Sequence, residues 1–261
     1  MRRHQKDQAE DRKQIIKNVL DVRRLMPRIG TRKLHYLLKD CIPVGRDKLF
    51  EILAAENLLI RRRKRYTKTT NSRHWMRTYA DRAKELCLKK PEQLWVADIT
   101  YMNTDDKTIY LHLVTDAYSK QIMGYKLSMD LSAESTQKAL QMALSNRIYP
   151  ERSPMHHSDR GLQYCSTPYI QELRDHRCQV SMTENGSPYD NAIAERLNGI
   201  LKDEFYCDEP FESYEQAKRY VDQTIIIYNT QRPHTSCSML TPLEMHRQHK
   251  LRVKKWNKKP L

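Results

Sequence analysis

The spacing of hydrophobic residues in the first 60 residues predicts three helices. Apolar residues recur at helical spacing over residues 8–26, and Pro27 and Gly30 end this pattern. A second helix is expected to begin at Thr31, a residue type that favours the N-cap position. A third is expected over residues 46–57. We expect both helices to bury apolar residues, which are Leu34, Leu37, Leu38, Leu49, Phe50 and Leu53.

Two short helices joined by a tight turn predict a helix-turn-helix. Many small helical hairpins bind no DNA, so this pattern alone leaves both interpretations open.

From residue 94 the pattern changes to short runs that are rich in β-branched and aromatic residues. Strands are predicted over residues 94–101, 108–115 and 121–128, and a helix over 133–146. The remaining predicted elements are a strand ending near 157, a helix over 167–177, a strand over 179–183, and helices from about 190 and over 214–228. Three successive strands followed by alternating helices and strands predict a mixed sheet with helices on its faces.

The charge of the chain is unevenly distributed. The net charge is +15, but residues 1–90 carry +16, residues 91–240 carry −7 and residues 241–261 carry +6. Basic ends around an acidic middle indicate a nucleic-acid partner, although basic segments can also be merely solvated surface. Five consecutive cations after the third helix predict an extended phosphate-binding linker, with a solvated charge run as the alternative. They are Arg61, Arg62, Arg63, Lys64 and Arg65.

Several classes of protein and site are excluded by composition. The chain has no apolar run of about 18 residues, which argues against a membrane span, and no apolar segment behind its first charges, which argues against a signal peptide. Six scattered cysteines without a CxxC pair predict free thiols in a reducing cytosol. No His/Cys zinc pattern precedes residue 90, and His246 with His249 is expected on a surface helix.

Three acidic residues stand in unusual places. Asp98 interrupts an apolar strand, Asp159 comes directly after another predicted strand, and Glu195 lies one turn into a helix. A buried carboxylate is unfavourable unless it is paired or bound to a cation, and ligands bind at strand ends in α/β sheets. Three converging carboxylates would hold two Mg²⁺ or Mn²⁺ ions for phosphoryl transfer. However, 32 acidic residues offer many such triples, so the local contexts must decide.

Those contexts resemble a known family. The motifs are WVADITY at 95–101, VTDAYS at 114–119, HSDRGLQY at 157–164, ENGSPYDNA at 184–192 and YNTQRPH at 228–234. In this order they resemble the integrase core of DDE insertion-sequence transposases, and most of all the OrfB-type product of the IS3 family. The segment GTRKL at 30–34 is similar to the helix-turn-helix of that family.

This resemblance implies a fold and an activity. It implies an RNase H-like α/β core with a mixed five-stranded sheet, preceded by an all-α helix-turn-helix region. Asp98, Asp159 and Glu195 would bind two Mg²⁺ or Mn²⁺ ions and catalyse 3′-end cleavage and strand transfer of DNA. The alternatives are a metal-dependent nuclease on the same fold, which makes no joined product, and a non-enzymatic DNA-binding regulator.

Residues around the three acids are expected to contact DNA or to support the site. Asn191, Asn198 and Lys202 share the helix face of Glu195, so we expect them to face DNA, with ordinary helix surface as the alternative for Lys202. Asp116 and His157 are interpreted as outer-shell residues that support the site. Further DNA contacts are expected from Arg46 and Lys48, and from Gln163 and Tyr164 at a strand end. Arg232 and His234 would either contact DNA or only cap a helix.

The predicted organisation has four parts. They are a helical DNA-binding region (1–60), a basic linker (61–90), the catalytic core (91–235) and a basic tail (236–261). The resemblance further implies element ends and target DNA as partners, an OrfA-type protein or fusion, and a homo-oligomer on DNA. It also implies a bacterial cytoplasmic protein that associates with the nucleoid when bound to DNA.

Overall fold

The chain divides into two compact units. A computed structural model describes residues 2–61, 76–84, 86–184 and 192–251. The first unit contains residues 1–66 and 203–206, and the second contains 67–202 and 207–261. Among the helices that the structure describes, none combines the length and apolar character needed to cross a bilayer.

The first unit contains three helices, as the apolar spacing predicts. They are α1 (Arg2–Leu25), α2 (Thr31–Leu38) and α3 (Arg46–Ala55). Leu34, Leu49 and Leu53 are fully buried and tie α2 to α3 through their shared core. Two expectations are wrong in detail. Gly30, not Thr31, is the N-cap of α2, and Phe50 is half exposed because it lies at the edge of the α3 face that buries Leu49, Ile52 and Leu53.

The second unit is built on a mixed five-stranded sheet. The strands are β1 (Leu94–Asn103), β2 (Thr108–Asp116), β3 (Ile122–Ser128), β4 (Met155–Ser158) and β5 (Gln179–Met182). Their order is β3-β2-β1-β4-β5, with antiparallel pairing on the β2 side of β1 and parallel pairing on the β4 side. This agrees with the predicted mixed sheet, and each predicted strand lies within two residues of the observed one.

Helices cover both faces of this sheet. They are α4 (Ala133–Ser145), α5 (Leu162–Cys165), α6 (Thr167–Asp175), α7 (Ala192–Glu204), α8 (Tyr214–Thr230) and α9 (Pro242–His246). Successive residues of β1 point to opposite faces, so Trp95 and Ala97 pack with α4, α5 and α6, while Val96 packs with Ala194 of α7. The central strand β1 is therefore buried on both sides.

The contact between β3 and α4 is unusually close. A side chain at Gly124 would place its Cβ 2.1 Å from the backbone oxygen of Ala139 and 2.5 Å from the backbone nitrogen of Ala143. Both neighbours are backbone atoms, which cannot rotate away. Glycine at this position therefore fixes the distance between the helix and the sheet.

His246 is buried, which corrects the expectation of a surface helix. Its side chain is 1% exposed, and α9 carries it against two buried carboxylates. His246 Nδ1 lies 2.9 Å from Ser119 Oγ, which donates a hydrogen bond to Asp116 Oδ1, and His246 Nε2 lies 3.5 Å from Glu92 Oε1. Residues 242–246 fall in the predicted basic tail, but they pack in the second unit. The sequence pattern does not show these contacts, because the partners lie far away in the sequence.

These charges stabilise one another. Burial opposes ionisation of His246, but Asp116 and Glu92 raise its pKa to about 9. Burial also opposes ionisation of Glu92, but His246, Arg147 and the backbone amides of Ile148 and Tyr149 lower its pKa to about 2. The cluster thus binds the start of β1 to α9 through paired buried charges.

Replacing Gly124 with alanine should destabilise the protein by about 3 kcal/mol or more, because α4 must move away from the sheet. Urea denaturation measures the change. Gly199→Ala is the matched control, since nothing lies within 4 Å of a Cβ there and alanine favours a helix interior by up to about 1 kcal/mol. Equal stability of Gly124→Ala and wild type would contradict the close packing.

His246 should make stability depend on pH above neutrality. Because its pKa is raised from 6.5 to about 9, its contribution is complete below 6.5 and is lost as the pH rises through about 9. We expect His246→Gln to be less stable than wild type by roughly 2–3 kcal/mol near pH 6, with the gap closing towards pH 9. Denaturation at a series of pH values tests this, and a pH-independent gap would contradict it.

Candidate active site

The parallel pairing of β1 with β4 brings two of the three predicted acids together. Val96 is paired with His157, and Asp98 and Asp159 each follow two residues later. Parallel strands lie about 4.8 Å apart, so this register places Asp98, midway along β1, beside Asp159, which follows the end of β4. Both side chains are partly exposed at this end of the sheet.

The turn after β4 holds the Asp159 carboxylate. The backbone N–H of Gly161 donates a 2.9 Å hydrogen bond to Asp159 Oδ1. A Cβ at Gly161 would lie only 3.1 Å from this same oxygen. A glycine therefore lets the backbone approach the carboxylate closely enough to orient it.

Helix α7 supplies the third acid. Glu195 is exposed in its first turn, and Asn198 follows one turn later on the same face. Asn198 Nδ2 donates a 2.6 Å hydrogen bond to Asp98 Oδ2, which shows that this face of α7 is turned towards β1. Lys202, a further turn along the same face, is partly buried.

Burial and neighbouring negative charge both act on Asp98. Burial raises the pKa of Asp98 to about 7, together with the charges of Asp159 and Glu195, against the opposing effect of the Asn198 hydrogen bond. Burial also raises the pKa of Glu195. In the described residues, no three His, Cys, Asp or Glu side chains are grouped closely enough to form a complete metal site. The geometry thus groups Asp98 with Asp159 and places the exposed Glu195 on the helix that contacts Asp98.

The two residues interpreted as outer-shell are both buried and bonded elsewhere. Asp116 accepts hydrogen bonds from the backbone N–H groups of Glu92 and Ser119 and belongs to the His246 cluster. His157 Nδ1 lies 2.9 Å from Ser181 Oγ on β5 and 3.9 Å from Asp81 Oδ1. These contacts favour structural roles, with His157 holding the strand that leads to Asp159.

Two residues considered for DNA contact are buried instead. Arg232 is 1% exposed and lies against the Tyr228 ring, with 5.6 Å between its guanidinium carbon and the ring centroid. Tyr164 is 2% exposed and packs in the core beneath the acidic turn. Its neighbour Gln163 is partly exposed and donates a hydrogen bond to the Leu131 carbonyl, and His234 is also partly exposed. The sequence did not indicate the burial of Arg232 and Tyr164, because each side chain has a polar end group but also a large apolar portion that can pack in a core.

Three predicted DNA-binding cations are exposed in the first unit. Arg46 pairs with Asp47 at 2.7 Å and Lys48 with Glu51 at 2.9 Å, while Arg61 follows α3 and is exposed. Exposed ion pairs contribute little to stability, so a phosphate could replace the acidic partner. The other predicted contacts, which are Arg62, Arg63, Lys64, Arg65 and Asn191, lie outside the described residues.

Family models and sequence relatives match this chain. Two models of the integrase core domain match residues 89–188 and 176–242. The insertion element IS600 uncharacterized 31 kDa protein of Shigella sonnei is 34% identical over 223 residues, which are 82% of this chain and 79% of that protein. Transposase InsF for insertion sequence IS3A of Escherichia coli (strain K12) is 40% identical over 153 residues, 58% of this chain. These residues are 53% of InsF, so the match spans about half of that transposase.

A solved structure shares the fold. It is a chain in the cryo-EM structure of the simian T-cell lymphotropic virus intasome in complex with PP2A regulatory subunit B56 gamma. The likeness covers 89% of this chain and 76% of that chain, with a TM-score of 0.53 and 18% sequence identity. Together with the integrase-core matches, it confirms the predicted RNase H-like fold.

The raised pKa of Asp98 should make this residue destabilising in the metal-free protein. Its pKa rises from 3.8 to about 7 on folding, so its favourable contribution is present below 3.8 and is lost as the pH rises through 7. We therefore expect Asp98→Asn to be more stable than wild type near pH 8, by roughly 2–4 kcal/mol, and to be similar near pH 4.

Denaturation in the presence of a chelator measures this difference. Asp175→Asn, which removes an exposed carboxylate from α6, is the control and should leave stability nearly unchanged at both pH values. If the difference in unfolding free energy between wild type and Asp98→Asn is the same at every pH, the Asp98 carboxylate does not titrate near neutrality.

Proposed function

Because the chain belongs to the IS3 family of insertion-sequence transposases, whose members have an integrase-like core, we propose that Asp98, Asp159 and Glu195 catalyse 3′-end cleavage and strand transfer of DNA. The enzyme class is DNA transposase, and DNA transposition is its general function. The observation that supports the residue assignment is the register of β1 with β4, which places Asp98 beside Asp159, together with the Asn198 hydrogen bond that turns the Glu195 face of α7 towards Asp98.

The donor set suits a divalent metal. Carboxylate oxygens are hard ligands, which Mg²⁺ and Mn²⁺ prefer, and a cation would offset the repulsion between the acids. Asp98, Asp159 and Glu195 would hold the ions, and we propose two per site. Bound there, the ions would supply Lewis acidity to the attacking oxygen and to the leaving oxygen of the phosphate.

Other side chains would prepare this site. The Asn198 amide holds the Asp98 carboxylate, and the Gly161 N–H holds that of Asp159, so two of the three acids have fixed orientations before DNA binds. Lys202 extends the same face of α7 by one turn and would contact a phosphate of the DNA. We propose that Asn198 orients Asp98 rather than serving as a primary DNA contact, since one N–H of its amide already donates to that carboxylate.

The basic first unit would bind DNA by charge. Arg46, Lys48 and Arg61 are exposed and could neutralise phosphates, with release of counterions. Element ends and target DNA are the proposed partners, together with an OrfA-type protein or fusion and further copies of this chain. We place the protein in the bacterial cytoplasm, on the nucleoid when it is bound to DNA.

The second candidate is a nuclease without strand transfer, since the same three acids could direct water alone. An assay with a DNA fragment that bears the element ends, a supercoiled plasmid target and Mg²⁺ separates the two functions. Joined products support the transposase. Cleaved ends without joined products would support the nuclease and contradict strand transfer.

Substitution of any of the three acids should abolish the chemistry. We expect Asp98→Ala, Asp159→Ala and Glu195→Ala to reduce cleavage and joining by at least about a hundredfold each, because each removes a ligand for the ions that stabilise the transition state. The measurement is product yield with equal amounts of folded protein, as judged by thermal melting. Asp175→Asn should retain wild-type yield, and wild-type yield from any of the three alanine variants would refute the assignment.

A further inference from the structure

Tyr164 occupies a distinctive place below the acidic turn. It lies in α5, three residues after Gly161, and its backbone N–H donates a 3.0 Å hydrogen bond to the Gly161 carbonyl. Its ring packs against the rings of His156 and Tyr169, with centroids 6.3 Å and 5.6 Å away. The side chain is therefore fixed by the core on one side and by the turn on the other.

The hydroxyl group of Tyr164 is buried without a hydrogen-bond partner among the residues that the structure describes. The neighbouring Tyr169 differs, because its hydroxyl lies 2.8 Å from His156 Nε2. A buried donor without a partner destabilises a fold, and each such group calls for an explanation. Two tyrosines in one core cluster thus have opposite hydrogen-bonding states.

The Tyr164 ring and the Asp159 carboxylate line the same turn. A Cβ at Gly161 would lie 3.1 Å from Asp159 Oδ1 and 3.6 Å from Tyr164 Cδ2, so the carboxylate and the edge of the Tyr164 ring border the same backbone position. The electrostatic surroundings agree with this placement. Burial, followed by the charges of Asp98 and Asp159, raises the pKa of Tyr164 well above its ordinary value, which keeps its hydroxyl protonated as a donor.

We propose that Tyr164 is a positioning residue, whose unpartnered hydroxyl donates a hydrogen bond to the Asp159 carboxylate when the three acids gather around a divalent metal. This inference rests on the proposed function. A hydrogen bond from a neutral donor to a carboxylate orients the ligand without adding charge, and residues behind metal ligands commonly act in this way. Tyr164 does not touch the reacting atoms, so its effect is on metal binding.

Two single-atom deletions in the full chain test this role. Tyr164→Phe and Tyr169→Phe each remove one hydroxyl from the same core cluster, one unpartnered and one bonded. Thermal melting is measured in a chelator and then over a series of magnesium chloride and manganese chloride concentrations. Binding of metal to the folded state raises the melting temperature in a concentration-dependent way.

We expect opposite results from the two variants. Tyr164→Phe should melt at or above the wild-type temperature in chelator, because an unpartnered donor is gone, but should need about tenfold more metal for the same rise. Tyr169→Phe should melt below wild type in chelator and should keep the wild-type metal dependence. Asp98→Ala should remove the rise and so identify the site that produces it.

The outcomes separate the two proposals. A metal-dependent rise that is equal in wild type and Tyr164→Phe overturns the role of Tyr164 and leaves the metal site intact. A lower melting temperature of Tyr164→Phe in chelator also overturns it, since the hydroxyl would then be structural. If neither metal raises the melting temperature of wild type, the proposed metal site fails and this inference fails with it.

Discussion

The parallel pairing of β1 with β4 is the constraint on which the active site depends. The two acids that these strands carry together, Asp98 and Asp159, are separated by 60 intervening residues in sequence, and only the register of Val96 with His157 places them side by side. A shift of one residue would turn one of them to the opposite face of the sheet. The burial of Trp95 and Ala97 on one face and of Val96 on the other prevents such a shift. The packing of the core therefore determines the relative position of Asp98 and Asp159.

Two carboxylates in the same strand region, one just before β1 and one midway along it, behave in opposite ways. Glu92, just before β1, has a pKa of about 2 because His246, Arg147 and backbone amides satisfy its charge. Asp98, six residues later, has a pKa of about 7 because it is desolvated and because Asp159 and Glu195 add negative charge nearby. One carboxylate stabilises the fold, and the other is kept in an environment that favours a cation. Both acids are desolvated, so the difference between their pKa values follows from their partners.

Much of this arrangement could be predicted from the sequence, and the reasons for the failures are physical. Strand positions followed from residue type and alternation, and the three acids stood out by their local contexts. The burial of His246 could not be predicted, because its partners Glu92 and Asp116 are more than 120 residues away in sequence. Phe50 is exposed although burial was expected, because helical spacing defines the buried face of a helix only approximately. Tyr164 is buried although a DNA contact was expected, because a single sequence does not show which rings pack in the core.

The link between Glu92 and His246 has a consequence for synthesis on the ribosome. Every strand and all three proposed catalytic acids precede residue 205, but the cation that satisfies Glu92 and Asp116 is 41 residues further along. A nascent chain that already contains Glu92 and Asp116 still lacks His246, the histidine that lies against both carboxylates. Closure of this cluster therefore requires the chain to have been made at least as far as residue 246, which comes after the described strands and the three proposed catalytic acids.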